Sequence, residues 1–144
     1  IRNCLVGSEM CIRDRKDDCC LSVVEGNRYC YRAHCFKTAA LIASELKLEG
    51  ERWSVSFQSR LGRAEWIKPY TETRIRDLAR KGVRRLVVFC PSFVADCLET
   101  LEEIQIGGKE IFLEEGGESL EMVPSLNASP DWIEGLAEMV RAKL

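Results

Sequence analysis

No apolar run in this chain approaches the roughly 18 residues that a membrane-spanning helix requires. Charge of one sign is also missing. Lysine and arginine number 21 against 23 acidic residues, a net charge of -2, so the basic stripe of a nucleic-acid binder is absent. Histidine is nearly so: His34 stands alone among 144 residues. No phosphate-binding glycine fingerprint follows any strand-like run, which weakens a nucleotide site. What the chain does have is cysteine, eight in all. Secreted disulfide scaffolds are short and loop-rich, and this chain is neither, so the cysteines imply a reducing, cytoplasmic compartment. There they serve as core residues or metal ligands. The length suits one domain with a real core and a small-molecule or protein partner.

Organisation begins after residue 15. The opening IRNCLVGSEMCIRDR has neither helical nor strand period and no signal-peptide apolar region. It resembles the conceptual translation of a transposon-end sequencing adapter. Residues 1–15 are therefore expected to be a non-native tail, which removes Cys4 and Cys11 from every site. A genuine tail without structure is the alternative. Residues 16–35 form a cysteine-rich, turn-prone segment, and 36–144 carry the regular pattern.

From Phe36 to Leu48 the apolar positions repeat with a helical period, with Gly50 as the stop. WSVSFQS then alternates strictly, Trp53, Val55 and Phe57 on one face, which predicts a strand. Thr71 is placed to cap a helix that runs to about Lys81 and ends at Gly82. RRLVVFC is continuously apolar at its centre, as in parallel strands covered on both faces. A helical stretch from Asp96 to Glu115 is interrupted at Gly107-Gly108 and ended by Gly116-Gly117. LEMVPSLN is a further strand, and Ser129-Pro130 a helix start with proline at the first position. Strands alternating with helices predict an α/β fold, a Rossmann-like parallel sheet flanked by helices. Ligands of such sheets lie beyond the carboxyl ends of the strands. Gln58-Ser59-Arg60 and Pro91-Ser92-Phe93 are placed at that rim.

The helix that opens there, in CPSFVADCLETLEEI, carries Glu99, Glu102 and Glu103. On an α-helical wheel Glu99 and Glu103 are about 40° apart, opposite Leu98, Leu101 and Ile104. Such carboxylates are compatible with a solvated outer face. Pattern alone favours that face; position pulls the other way, because carboxylates near a helix N-terminus at a binding rim can bind a divalent cation or accept protons.

NRYCYRAHCF, SVSFQSRLGRAEWIKPYT, CPSFVADCLETLEEI, EIFLEEGG and VPSLNASPDWIEGLAEMV occur in this order from Asn27 onward. Together they resemble the C-terminal half of a bacterial ferrochelatase, the enzyme that inserts ferrous iron into a porphyrin to make haem. The resemblance implies one lobe of a two-lobed chelatase fold, with the N-terminal lobe as its missing partner. It implies Glu99 as the catalytic carboxylate, and Glu99 with Glu103 as a row that passes protons or metal. It implies a π-type widening in that helix. Trp66, Phe93, Gln58 and Ser59 become the porphyrin-binding residues. Porphyrin, protoporphyrin IX foremost, and Fe²⁺ become the substrates.

Two departures stand out. The family's cleft histidine, in a Ser-x-His-Gly-x-Pro setting, has no counterpart, and His34 belongs to a different motif. A further family carboxylate falls on Gly107. The chain alone is therefore expected to lack useful chelatase activity. Cys19, Cys20, Cys30 and Cys35 bring four thiols into seventeen residues. Some ferrochelatases carry a [2Fe–2S] cluster, which makes these its candidate ligands; a zinc knot or packed, reduced thiols are the alternatives. A related cobalt or nickel tetrapyrrole chelatase and a non-catalytic iron–sulfur or porphyrin-binding module are the competing functions. Peripheral membrane contact is left open.

Overall fold

The computed structural model describes Cys20, residues 22–58 and residues 67–144. Two compact units divide the chain, Ile1–Arg74 and Ile75–Leu144. The expected tail of residues 1–15 lies outside the described residues, as do Cys19, Ser59 and Trp66.

The first unit is built around helix α1, Tyr31–Glu45, preceded by a 3₁₀ turn at Glu25–Asn27. α1 starts five residues before the periodic stretch, with Cys30 at its N-cap. It also stops before Gly50. Lys47 takes the left-handed conformation, φ 54°, directly after the helix. Leu48 N donates to Ala43 O at 2.8 Å and Lys47 N to Ser44 O at 3.0 Å, the paired bonds of a Schellman ending. Among its described residues the WSVSFQS alternation yields one parallel bridge, Phe57 with Tyr70, where a whole strand was expected. Phe57 is buried, its ring 6.5 Å from Tyr31 and 6.1 Å from Phe36 between centroids. Thr71 is the first residue of helix α2, Thr71–Arg80, and not its cap. Arg74 N donates to Tyr70 O at 3.0 Å, and the Thr71 hydroxyl donates to Ser56 Oγ at 3.0 Å.

The second unit is a β-α-β arrangement. Strand β1, Arg85–Phe89, is followed by a short helix α3, Leu98–Thr100. A π-helical segment, Leu101–Gly108, and helix α4, Lys109–Glu114, continue it. Strand β2, Ser119–Val123, pairs parallel with β1 in register Arg85–Ser119 to Phe89–Val123. Helix α5, Pro130–Arg141, closes the chain with Ser129 at its N-cap and proline in its first turn. The parallel α/β reading holds.

Gly107-Gly108 does not interrupt the helix; it lies within the π segment. Gly82 and Gly116 end α2 and α4 at φ +86° and +96°, a region costly for residues with a Cβ. Ile75, Ala79, Phe112 and Leu120 form the core, with Val83, Leu86, Val88 and Ile111 against them. Only one face of β1 is covered. Leu86 and Val88 are half-buried while Arg85, Val87 and Phe89 are exposed. Burial on both faces needs a second layer, which the described residues do not supply.

Candidate functional site

Both parallel strands end toward the same rim, and the loops that leave them carry the polar residues. Residues 90–97 follow β1, and residues 124–129 follow β2. Phe93 is half-buried in the first loop, its amide donating to Cys90 O at 3.0 Å in a turn. Gln58 belongs to the first unit and is half-buried directly after Phe57.

Glu99 sits in the single turn of α3, one step before the π segment, and is half-buried. The Cys97 thiol, and then Glu99's own backbone amide, hydrogen-bond its carboxyl and hold it below the usual carboxylate range. It is thus ionised at neutral pH. Glu103 and Glu102 lie in the π segment and are exposed. The π widening is present, so the α-helical spacing of Glu99 and Glu103 does not carry through this stretch. The position one turn further is Gly107, where an added methyl would lie 3.5 Å from Glu102 O.

The residues around Glu99 are where pattern reading fell short. Asp96, Thr100, Ser125 and Asn127 tie the two loops together. Asp96 N donates to Asn127 Oδ1 at 2.9 Å, and Asn127 Nδ2 returns a bond to Asp96 Oδ2 at 2.8 Å. Ser125 N donates to Asp96 Oδ1 at 3.2 Å. The Thr100 hydroxyl lies 3.1 Å from both Asp96 Oδ1 and Cys97 O, and accepts from Cys97 N at 3.0 Å. Its one proton is shared between these acceptors, of which the ionised carboxylate is the stronger. The bond from Asn127, and then the one from Ser125, holds the Asp96 carboxyl low. Burial, with Asp96 and Cys97 nearby, pushes the Cys90 thiol up and keeps it protonated. The sequence offered one local signal, an aspartate four residues before a threonine at a helix start; the φ of +50° at Asn127 is visible only in the structure.

Of the four thiols expected to hold an iron–sulfur cluster, three are described. Cys20 is buried and accepts a hydrogen bond from Arg32 Nη1 at 2.7 Å. Cys30 caps α1 and Cys35 lies within it. Among the described residues no three cysteine, histidine, aspartate or glutamate side chains group to hold a metal. The fourth expected ligand, Cys19, lies outside the described residues. His34 Nε2 donates to Arg28 O at 2.8 Å, tying down the turn before α1, as a local structural residue does. No described helix is long and apolar enough to cross a membrane.

The ferrochelatase family profile matches residues 10–144. A ferrochelatase of Ectopseudomonas mendocina is 58% identical over 121 residues, covering 83% of this chain and 36% of that protein. One from Bdellovibrio bacteriovorus is 52% identical over 126 residues, 88% of this chain and 38% of the relative. One from Coxiella burnetii is 47% identical over 138 residues, 96% of this chain and 39% of the relative. The chain thus spans between 36% and 39% of the length of these three relatives.

Proposed function

Because the chain belongs to the ferrochelatase family, we propose that it is the carboxylate-bearing part of an enzyme that inserts Fe²⁺ into a porphyrin, protoporphyrin IX, in haem biosynthesis. The observation that carries this reading is an ionised, half-buried Glu99 at the head of a π-helical segment, on the loop rim of a parallel sheet.

Metallation replaces two pyrrole N–H protons by one Fe²⁺, releasing two protons per turnover. Glu99 is the proton acceptor for that step. Its hydrogen bonds keep it deprotonated before substrate arrives, and its oxygens are hard ligands that release iron readily. Glu103, exposed on the π segment, hands metal or protons along. The family resemblance assigns porphyrin binding to Phe93, Trp66, Gln58 and Ser59, aromatic and polar types suited to a flat macrocycle. The remainder of the longer enzyme supplies the facing lobe and its histidine, so the chain alone turns over no porphyrin. The thiols of Cys35, Cys90 and Cys97, not engaged in disulfides, support a cytoplasmic protein. A [2Fe–2S] cluster on Cys19, Cys20, Cys30 and Cys35 is needed by no step of this reading.

The test is anaerobic metallation of protoporphyrin IX by the complete enzyme carrying this segment. Glu99→Gln should lower kcat by about 100-fold or more, the range of a lost acid–base group. The KM for porphyrin should stay within a few-fold. A glutamine variant that turns over at the wild-type rate would remove Glu99 from the chemistry.

A further inference from the structure

Thr100 is fully buried, and it is the residue next to Glu99. Its hydroxyl is pinned by Asp96 and by the amide of Cys97. Asp96 is pinned in turn by Asn127 and Ser125, which come from the loop after the other strand. Asn127 completes the circuit, donating its amide to Val94 O at 2.8 Å and its side chain to Ser125 O at 3.0 Å. Every oxygen of the Asp96 carboxylate therefore has a donor, and none faces a ligand unengaged.

We propose that the Asp96–Asn127 pair, acting through Thr100, is a positioning device that fixes the backbone of Glu99 against the rim of the sheet. This rests on the reading of Glu99 as the metallation carboxylate. α3 is only one turn long before it opens into a π segment, so its own backbone bonds define the direction of Glu99 weakly. The clamp supplies the missing constraint by fastening that turn to both strand ends. Misplacing a catalytic group by about 1 Å can cost about 100-fold in rate. Neither Asp96 nor Asn127 touches substrate in this account. Both act on Glu99 at one remove.

The pair is reciprocal, and that makes it testable by exchange. In Asp96→Asn the new amide faces the amide of Asn127, donor against donor, and the clamp opens. In Asp96→Asn with Asn127→Asp, the carboxylate moves across the gap and restores the donor–acceptor pairing between the two side chains, at the cost of the bond to Ser125 O. Aspartate also tolerates the left-handed backbone at position 127. In the complete enzyme, Asn127→Ala and Asp96→Asn should each lower kcat about 10- to 100-fold with porphyrin KM within about twofold. The exchanged pair, which lacks the bond to Ser125 O, should still turn over several-fold faster than Asp96→Asn. In a Glu99→Gln background, Asn127→Ala should cost almost nothing more, because both changes remove one function. Additive losses, or an exchanged pair as slow as Asp96→Asn, overturn the proposal. If Asn127→Ala does not fold, as judged by thermal unfolding, the exchanged pair decides alone. A wild-type enzyme that does not metallate porphyrin overturns the functional reading itself, before any variant is compared.

Discussion

At position 117 even one added carbon collides with a ring. A methyl on Gly117 would fall within overlap distance of Phe112, which is fully buried and has nowhere to move. The contact follows from how α4 ends: Gly117 N donates to Phe112 O at 2.8 Å, which brings residue 117 over residue 112. Gly117→Ala should destabilise the chain by about 1–3 kcal/mol through overpacking. Phe112→Ala should cost about 3–5 kcal/mol through the cavity it leaves. Urea unfolding of the chain measures both. The double variant Gly117→Ala with Phe112→Leu should be more stable than the sum of its parts, because the smaller side chain relieves the collision. Strict additivity would show that the two positions do not meet. Just before this turn, Arg80 and then Arg76 hydrogen-bond Glu115 and hold its carboxyl below the ordinary value. A carboxyl depressed in the folded state stabilises the fold above its unfolded value of about 4.3. That contribution is lost as pH falls through the lower folded value. Unfolding followed from pH 7 to pH 3 should therefore show a shallower acid loss in Glu115→Gln than in wild type. Identical slopes would mean that the two arginines do not perturb Glu115.

The π segment works as one element because it sets the phase between Glu99 and Phe112. Phe112 is fixed by the core, so removing one residue between them re-phases the start of the helix by about 100°. Deleting Gly107 should leave helical circular dichroism near wild type while metallation by the complete enzyme falls about 100-fold. Gly107→Ala is the control. It keeps the length, its methyl meets only Glu102 O at an ordinary 3.5 Å, and it should stay active. A deletion variant as active as the control would mean that the widening sets no phase. The segment also marks where sequence and structure part. β1, β2, α2, the end of α4 and α5 were legible because local signals agreed: apolar runs, Gly82 and Gly116 as stops, and Ser129-Pro130 as a start. WSVSFQS was misread because alternation describes a face, whereas a strand needs a neighbour, and among the described residues Phe57 alone of this stretch pairs, with Tyr70. The stop at Lys47 was missed because a lysine in the left-handed region has no sequence signature, unlike Gly50 three residues on. Glu99 became a candidate through five ordered motifs, and periodicity alone would have left it on a wet face. Asp96 and Asn127 are 31 residues apart, and hydrogen bonds across such a distance leave no period to read.

At the scale of the molecule, the unusual quantity is how much apolar surface the chain leaves to water. On β1 and β2, Val87, Phe89 and Val123 are exposed, Val87 at 67%. On α5, Ile133, Met139 and Val140 are exposed as well. Scattered exposed apolar residues are ordinary, but a sheet face and an amphipathic helix with uncovered apolar positions usually mark an interaction surface. The net charge of -2 gives little mutual repulsion to keep such surfaces apart. The chain spans 36–39% of its relatives' length, which leaves ample polypeptide in those proteins to provide cover. Expressed alone, the chain should bind a hydrophobic dye such as ANS and elute from gel filtration larger than its 16.4 kDa. The complete enzyme carrying the same segment should bind several-fold less dye per mole. Val87→Thr with Val140→Gln should reduce both dye binding and self-association of the chain alone, because the exposed methyls are the attractive surface. A chain that elutes as a monomer and binds no dye would mean that these side chains are already covered in solution. The facing-lobe reading would then lose its physical basis.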